Sequence, residues 1–341
     1  MALPLNPVRT VDYHTAGEPF RIVVQGAPHT QGATVLERRL SAMTGEADVV
    51  RALLCNEPRG HADMYGCFLV PPNDDGAVLG ALFWHKDGFS TACGHGSIAL
   101  AVYAVDSGLV VAPHDGETQF NIDVPSGRVG LTVRRNAGRT TSVAFANVAS
   151  FVIARAVPIV TSIGTIAVDV SYGGAIYASA RASDLDLRVE PGMLAQMITI
   201  GREIKAQLSS RPESQHPTDE RLSGIYGTIW FDDVSSLDEP GGGVRQRNCT
   251  VFADGEVDRS PCGSGTSARL ALLHSQNRLA VGEGLHHSSV IGSVFRGRVL
   301  GYADEPVGAV LTEVEGMAFR TGEHTFLLDP ADTLGLGFQL R

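Results

Sequence analysis

Apolar positions along this chain fall mostly in short alternating runs, with only a few stretches of helical spacing. Val8 to Val24 reads as a strand, a turn at HTAGEP (His14 to Pro19) and a return strand, with Gly17 and Pro19 as turn residues. The same pattern returns at Ile166 to Ala180, where Gly173 and Gly174 take the turn. Glu57 to His85 reads as strands, with PPNDDG (Pro71 to Gly76) as a hairpin turn between CFLV and AVLGALFW. Phe120 to Val133 is a second hairpin around PSGR, Val143 to Val160 is strand-like, and Gly224 to Phe231 is a strand. Asp238 to Asn248 is expected to be a Gly-rich loop, and His286 to Leu340 a series of short strands with Gly turns. A helical pattern covers Ala33 to Leu54, and another opens at Pro191, with Leu194, Met197, Ile198, Ile204 and Leu208 near helical spacing.

Two further helices share one design. In SPCGSGTSARLALLHSQNRLA, Pro261 sets a turn, Cys262 follows, then small residues, then an apolar run from Ala268 to Leu273. Asn277 stands where a left-handed cap is expected. In TACGHGSIALAVYAVDSGLVV, Cys93 superposes on Cys262, Gly94 on Gly263, His95 on Ser264, Gly96 on Gly265, Ser97 on Thr266, Ala99 on Ala268, and Gly108 on the capping Asn277, each fifteen residues after its cysteine. The cysteines are 169 residues apart in a chain of 341, so one unit occurs twice. The domain crossing is expected between Val157 and Thr165. That gives an N-terminal half over 1–160, completed by the C-terminal strand, and a C-terminal half over 161–335.

The first N–H groups of a helix have no internal partner and carry the positive end of its dipole. A cysteine there is expected to have its pKa lowered toward neutrality. The neighbouring glycines let a ligand approach the backbone, and the free N–H groups can hold a carboxylate. Two such units facing one another would put a thiol on each face of a bound carboxylic acid. Inversion of a carbon next to a carboxylate needs that arrangement.

A net charge of −10 argues against nucleic acid or an anionic membrane as partner. The N-terminus shows no signal-peptide pattern and no run of about 18 apolar residues occurs, so neither export nor a membrane span is expected. Five cysteines (Cys55, Cys67, Cys93, Cys249, Cys262) without an export signal imply a reduced, cytoplasmic protein. No phosphate-binding glycine loop is present. Cys93 and His95 lack further ligands at metal-binding spacing, so no metal is expected. A thiol hydrolase using His14, His61 or His95 leaves the second cysteine unexplained. His95 is read as touching substrate polar atoms beside the thiol, and Asp258 as accepting a hydrogen bond from a substrate ammonium. Tyr65 and Phe252 are read as core or pocket-wall aromatics.

HTAGEP at His14, EPRGHADMYG at Glu57, ACGHGSIAL at Ala92, DVSYGGAIYA at Asp169 and VFADGEVDRSPCGSGTSAR at Val251 together resemble the proline racemase family. That family includes hydroxyproline 2-epimerases and trans-3-hydroxyproline dehydratases. The resemblance implies an α/β (α+β), diaminopimelate-epimerase-like fold of two pseudo-symmetric β-barrel halves, each around a central helix. It implies a cofactor-independent mechanism in which Cys93 and Cys262 are the acid/base pair. Gly94, His95, Gly263 and Ser264 would hold the substrate carboxylate, Asp258 would lie near its nitrogen, and Tyr65 and Phe252 would line the pocket. It also implies a homodimer.

DMYG, YGGAIYA and IYGTI resemble the dehydratase branch, but dehydratases of this family tend to carry Ser or Thr in place of one cysteine. Both cysteines are present here. The expected activity is therefore epimerisation of a proline-type imino acid, a hydroxyproline first. Dehydration of trans-3-hydroxy-L-proline is the alternative, and a carboxylate-binding relative without turnover is the third reading.

Overall fold

The computed structural model describes residues 6–234 and 243–340. Among them strands outnumber helices, as the short alternating runs require. In chain order the strands are β1 (Val8–Thr15), β2 (Glu18–Gln25), β3 (Gly66–Val70), β4 (Gly80–His85), β5 (Gly88–Phe89), β6 (Gly116–Val124), β7 (Gly127–Asn136), β8 (Arg139–Ala146) and β9 (Phe151–Thr161). They continue with β10 (Gly164–Tyr172), β11 (Ile176–Arg181), β12 (Ile225–Asp233), β13 (Val244–Phe252), β14 (Glu256–Asp258), β15 (Gly284–Ser289), β16 (Val294–Tyr302), β17 (Val310–Gly316) and β18 (Ala318–Phe326). The α-helices are α1 (Val35–Ala42), α2 (Glu46–Cys55), α3 (Gly94–Asp106), α4 (Leu194–Leu208) and α5 (Gly263–Ser275). None is long and apolar enough to cross a membrane.

The chain divides into two compact units. The first takes the described residues up to Thr91, then Gly96–Val143, and those from Met317 on; the second takes Ala92–His95 and Ala144–Gly316. In the first unit, β1 and β2 form an antiparallel hairpin that turns through Ala16 (φ 52°) and Gly17 (φ 96°). Strand β18 adds antiparallel to β1. Beyond β2 the pairings run parallel to β3, antiparallel to β4, parallel to β6 and antiparallel to β7.

The second unit repeats this order. Strands β10 and β11 form the hairpin, β9 adds antiparallel to β10, and the series continues parallel to β12, antiparallel to β13, parallel to β15 and antiparallel to β16. Strand β17 follows antiparallel to β16, and an isolated bridge joins Ser150 to Val310. Helix α5 packs against β9, β10 and β11 and also against β16 and β17. It therefore touches both ends of the strand series, which curls around it. This explains why eleven of its thirteen residues, Gly263 through Leu273, are buried: a helix enclosed by sheet has no solvent face. Helix α4 covers the outer side, where its Met197 carbonyl accepts from Trp230 Nε1 at 3.0 Å and its Gly201 carbonyl from Thr228 Oγ1 at 3.0 Å.

The expected caps are present. Gly108 (φ 74°) ends α3 and Asn277 (φ 56°) ends α5, both in the left-handed region. Their helices are thirteen residues each and keep the 169-residue offset from end to end.

Three local expectations change. The helical stretch at Ala33 to Leu54 is two helices, because Gly45 is extended (φ −116°, ψ −167°) and caps α2. In the hairpin around PPNDDG β4 starts only at Gly80, since the Ala77 N–H turns back to the Asp74 carbonyl at 3.4 Å and the Val78 N–H donates to the Asn121 carbonyl at 2.9 Å; Asn73 braces the turn. Its N–H donates to Asp123 Oδ2 at 2.8 Å, and its side-chain oxygen accepts from the Val35 N–H at 2.7 Å. Of the Gly-rich loop, residues 238–242 lie outside the described residues. From Val244 the chain is strand, because pairing with β15 overrides its turn-like composition.

Candidate active site

The second cysteine follows β14 through a braced turn. The Ser260 N–H donates to Asp258 Oδ1 at 2.8 Å, and the Cys262 N–H donates to Ser260 Oγ at 3.1 Å. Cys262 itself has φ 61° and ψ 101°. A non-glycine residue in that region costs on the order of 1–3 kcal/mol and persists only where its surroundings hold it. Helix α5 starts directly afterwards, the Thr266 N–H donating to the Cys262 carbonyl at 2.7 Å. The thiol folds back onto the helix start. A Cβ at Gly265 would lie 2.9 Å from Cys262 Sγ, and the Gly265 N–H donates to that sulfur.

The first cysteine unit reaches the same place. Segment Ala92–His95 belongs to the second compact unit. A Cβ added to Gly94 would stand 2.5 Å from the Gly263 Cα, and one added to Gly263 would stand 2.7 Å from the Gly94 Cα. The two helices thus begin backbone against backbone, with a cysteine one residue before each contact. Cys93 Sγ lies 3.4 Å from Nε2 and 3.5 Å from Nδ1 of His95. His95 Nδ1 in turn lies 3.8 Å from Asp258 Oδ2. The glycine turn between β10 and β11 also rests on α5: a side chain at Gly173 would collide with the Ser264 carbonyl.

Of the residues singled out in the sequence, Cys93, Gly94, His95, Asp258, Cys262, Gly263 and Ser264 are brought together here. Phe252 joins them through a chain of rings. It stacks on Tyr226 with centroids 5.5 Å apart, and Tyr226 meets Tyr177 edge-on at 5.6 Å. Tyr65 belongs to the first unit, where it is buried and its hydroxyl lies 2.5 Å from Ser90 Oγ. Tyr177 was not anticipated. Its hydroxyl is 2.7 Å from Ser264 Oγ and accepts from the Cys262 thiol at 3.7 Å. The YGGAIYA motif contains it, but only the strand pairing of β11 reveals that it faces the cysteine.

Electrostatics here are governed by burial. Cys93 and Cys262 are each 5% exposed and His95 4%. Burial holds His95 down to about 3, so its imidazole is neutral and the 3.8 Å approach to Asp258 is not an ion pair. Burial pushes Asp258 up to about 6, against hydrogen bonds from Ser260 and Cys262. The Cys262 thiol is also pushed up, by burial first and by the Asp258 charge second; Tyr177 and the Gly265 N–H oppose this. The expected lowering of this thiol at a helix start is therefore reversed, because desolvation exceeds the dipole.

These features define a strand-rich α/β protein built from two repeats, each running from a cysteine turn into an enclosed helix. A family model described as Proline racemase matches residues 10–339, and the chain belongs to that family. It is 42% identical over 333 residues to a trans-3-hydroxy-L-proline dehydratase of Bacillus thuringiensis subsp. konkukian (strain 97-27), covering 97% of both chains. It is 41% identical over 339 residues to a 3-hydroxyproline 2-epimerase of Burkholderia multivorans, covering 97% of this chain and 98% of that one. Among solved structures it resembles a hydroxyproline epimerase from Agrobacterium vitis with bound trans-4-OH-L-proline. The TM-score is 0.90 at 31% identity, over 98% of this chain and 95% of that one.

The glycine contact carries a prediction. Gly94→Ala forces the two helix starts apart and should lower the unfolding free energy by about 1–3 kcal/mol, read by denaturant or thermal unfolding.

Proposed function

We propose that the protein acts on 3-hydroxyproline by removing the proton from its α-carbon, and that its main reaction is dehydration of trans-3-hydroxy-L-proline. The observation that carries this reading is the 42% identity over 97% of the chain to a relative of that name, together with two buried thiols at adjoining helix starts. The sequence alone placed inversion ahead of dehydration; the similarity to dehydratases reverses that order.

The backbone N–H groups of Gly94, His95, Gly263 and Ser264 are assigned to the substrate carboxylate, where they stabilise negative charge as the α-proton leaves. Asp258 is assigned to the ring ammonium. The bound cation neutralises that carboxylate and so removes one of the causes that hold the Cys262 thiol up. In the trans isomer the hydroxyl lies on the ring face opposite the carboxylate, which is the face of the α-hydrogen. One thiolate can therefore take the α-proton and return it to the departing hydroxide. The Cα–H bond and the Cβ–O bond break, a Cα–Cβ double bond forms, and water and a cyclic enamine carboxylate leave.

Epimerisation at the same carbon is the second reading, favoured by a specific observation: both positions hold cysteine. A proton returned by a thiol on the opposite face gives the 2-epimer, and a hydroxyl, with its far higher pKa, cannot supply it. The relative from Burkholderia multivorans carries that activity in its name.

Proton NMR in heavy water on a panel of proline and hydroxyproline isomers tests the proposal. Loss of trans-3-hydroxy-L-proline to a dehydrated product is expected; silence on every isomer would leave a carboxylate-binding relative without turnover. Cys262→Thr should keep dehydration and lose inversion. If that variant still epimerises, the role given to Cys262 is wrong. The raised Asp258 pKa supplies a pH dependence: below about pH 6 the carboxylate takes up a proton and loses the ammonium, so KM should rise about tenfold per pH unit there while staying level above it. Steady-state kinetics between pH 5 and pH 8, a range of about three units, reads this directly.

A further inference from the structure

His287 lies on β15 and is fully buried, outside every motif that marks the cysteine units. Its Nδ1 is 2.8 Å from Thr266 Oγ1. Thr266 has a single hydroxyl proton, which it donates to the Pro261 carbonyl at 3.1 Å. The Thr266 oxygen therefore accepts from His287, which makes the imidazole the Nδ1–H tautomer. Its other nitrogen, Nε2, is buried and has no hydrogen-bond partner. Burial, and then the Arg269 guanidinium, hold the imidazole down to about 3, so it stays a neutral donor at working pH.

Pro261 is the residue before the left-handed Cys262, and the Thr266 N–H holds the carbonyl after it at 2.7 Å. Thr266 thus grips both peptide groups that flank the strained residue, and His287 fixes Thr266. Cys93 is not among the residues with positive φ. The strained backbone belongs to the Cys262 thiol, the one that Thr266 braces.

We infer that His287 is a positioning residue for Cys262: acting through Thr266, it holds the left-handed turn that keeps the sulfur against the Gly265 N–H and Tyr177. This rests on the reading of Cys262 as a reacting thiol, but the test does not need turnover. The full-length protein is alkylated with iodoacetamide across a pH series, and Cys262 and Cys93 are followed separately by mass spectrometry. Tyr177 and Asp258 face the Cys262 sulfur in every variant, and Arg269 faces residue 287.

His287→Phe and Thr266→Val should each raise the pH midpoint of Cys262 by about one, a tenfold loss of thiolate at fixed pH, and leave Cys93 in place. His287→Asn, which keeps an N–H donor near the Nδ1 position, and Thr266→Ser should restore the parent midpoint. On 3-hydroxyproline the Phe variant should lose about tenfold in the kcat of inversion with KM little changed. An unchanged Cys262 midpoint in His287→Phe, or an equal movement of both cysteines, overturns the inference. So does an Asn variant as impaired as Phe. Where His287→Phe does not fold, Thr266→Val against Thr266→Ser decides on the same readout. Failure to turn over any hydroxyproline isomer sinks the proposed reaction and leaves the alkylation result standing.

Discussion

Everything at this site depends on two glycines meeting without side chains. With Cβ atoms at 94 and 263 the backbones could not approach as they do, and the cysteines attached one residue earlier would separate. The contact also sets two helix starts side by side. Each brings the positive end of a helix dipole, so like partial charges are held together. Such an arrangement favours an anion. A bound carboxylate fits that demand better than any other group among the substrates of the relatives.

Among Cys262, His95 and Asp258, only Asp258 carries charge at neutral pH. His95 is held uncharged, Asp258 is raised to about 6, and the Cys262 thiol is pushed up, all chiefly by burial. A ligand that brings a counter-charge lowers the cost of forming a thiolate there. In the proposed reaction a zwitterionic imino acid would do so, its ammonium toward Asp258 and its carboxylate toward the helix starts. Under this account substrate binding and thiol activation are one event. It also accounts for sealed cysteines in a protein whose proposed chemistry depends on them.

The repeat was legible in the sequence because its signals are local. Cysteine, glycine and small residues at matching offsets gave both enclosed helices, and the caps at Gly108 and Asn277 have the left-handed backbone their residue types allow. The paired hairpins at HTAGEP and SYGGA were legible for the same reason. What depends on distant pairing was not. Tyr177 reaches Cys262 only because β11 lies beside α5, and β13 starts at Val244 only because β15 is available to pair with it. The left-handed Cys262 was hidden too, since a cysteine carries no preference for that region and only the braces from Ser260 and Thr266 enforce it. The direction of the Cys262 shift was missed because helix position is visible in a sequence and desolvation is not.

The reading that both proposed reactions share is that the two thiols flank one carbon of one bound ring, one taking the α-proton in dehydration and both taking part in inversion. A crystal structure with pyrrole-2-carboxylate, whose ring carbon beside the carboxylate is already planar, measures this most directly. The account predicts Cys93 Sγ and Cys262 Sγ on opposite faces of that carbon, each within about 3.5–4 Å. Both sulfurs on one face, or either one outside reach of the ring, would contradict it.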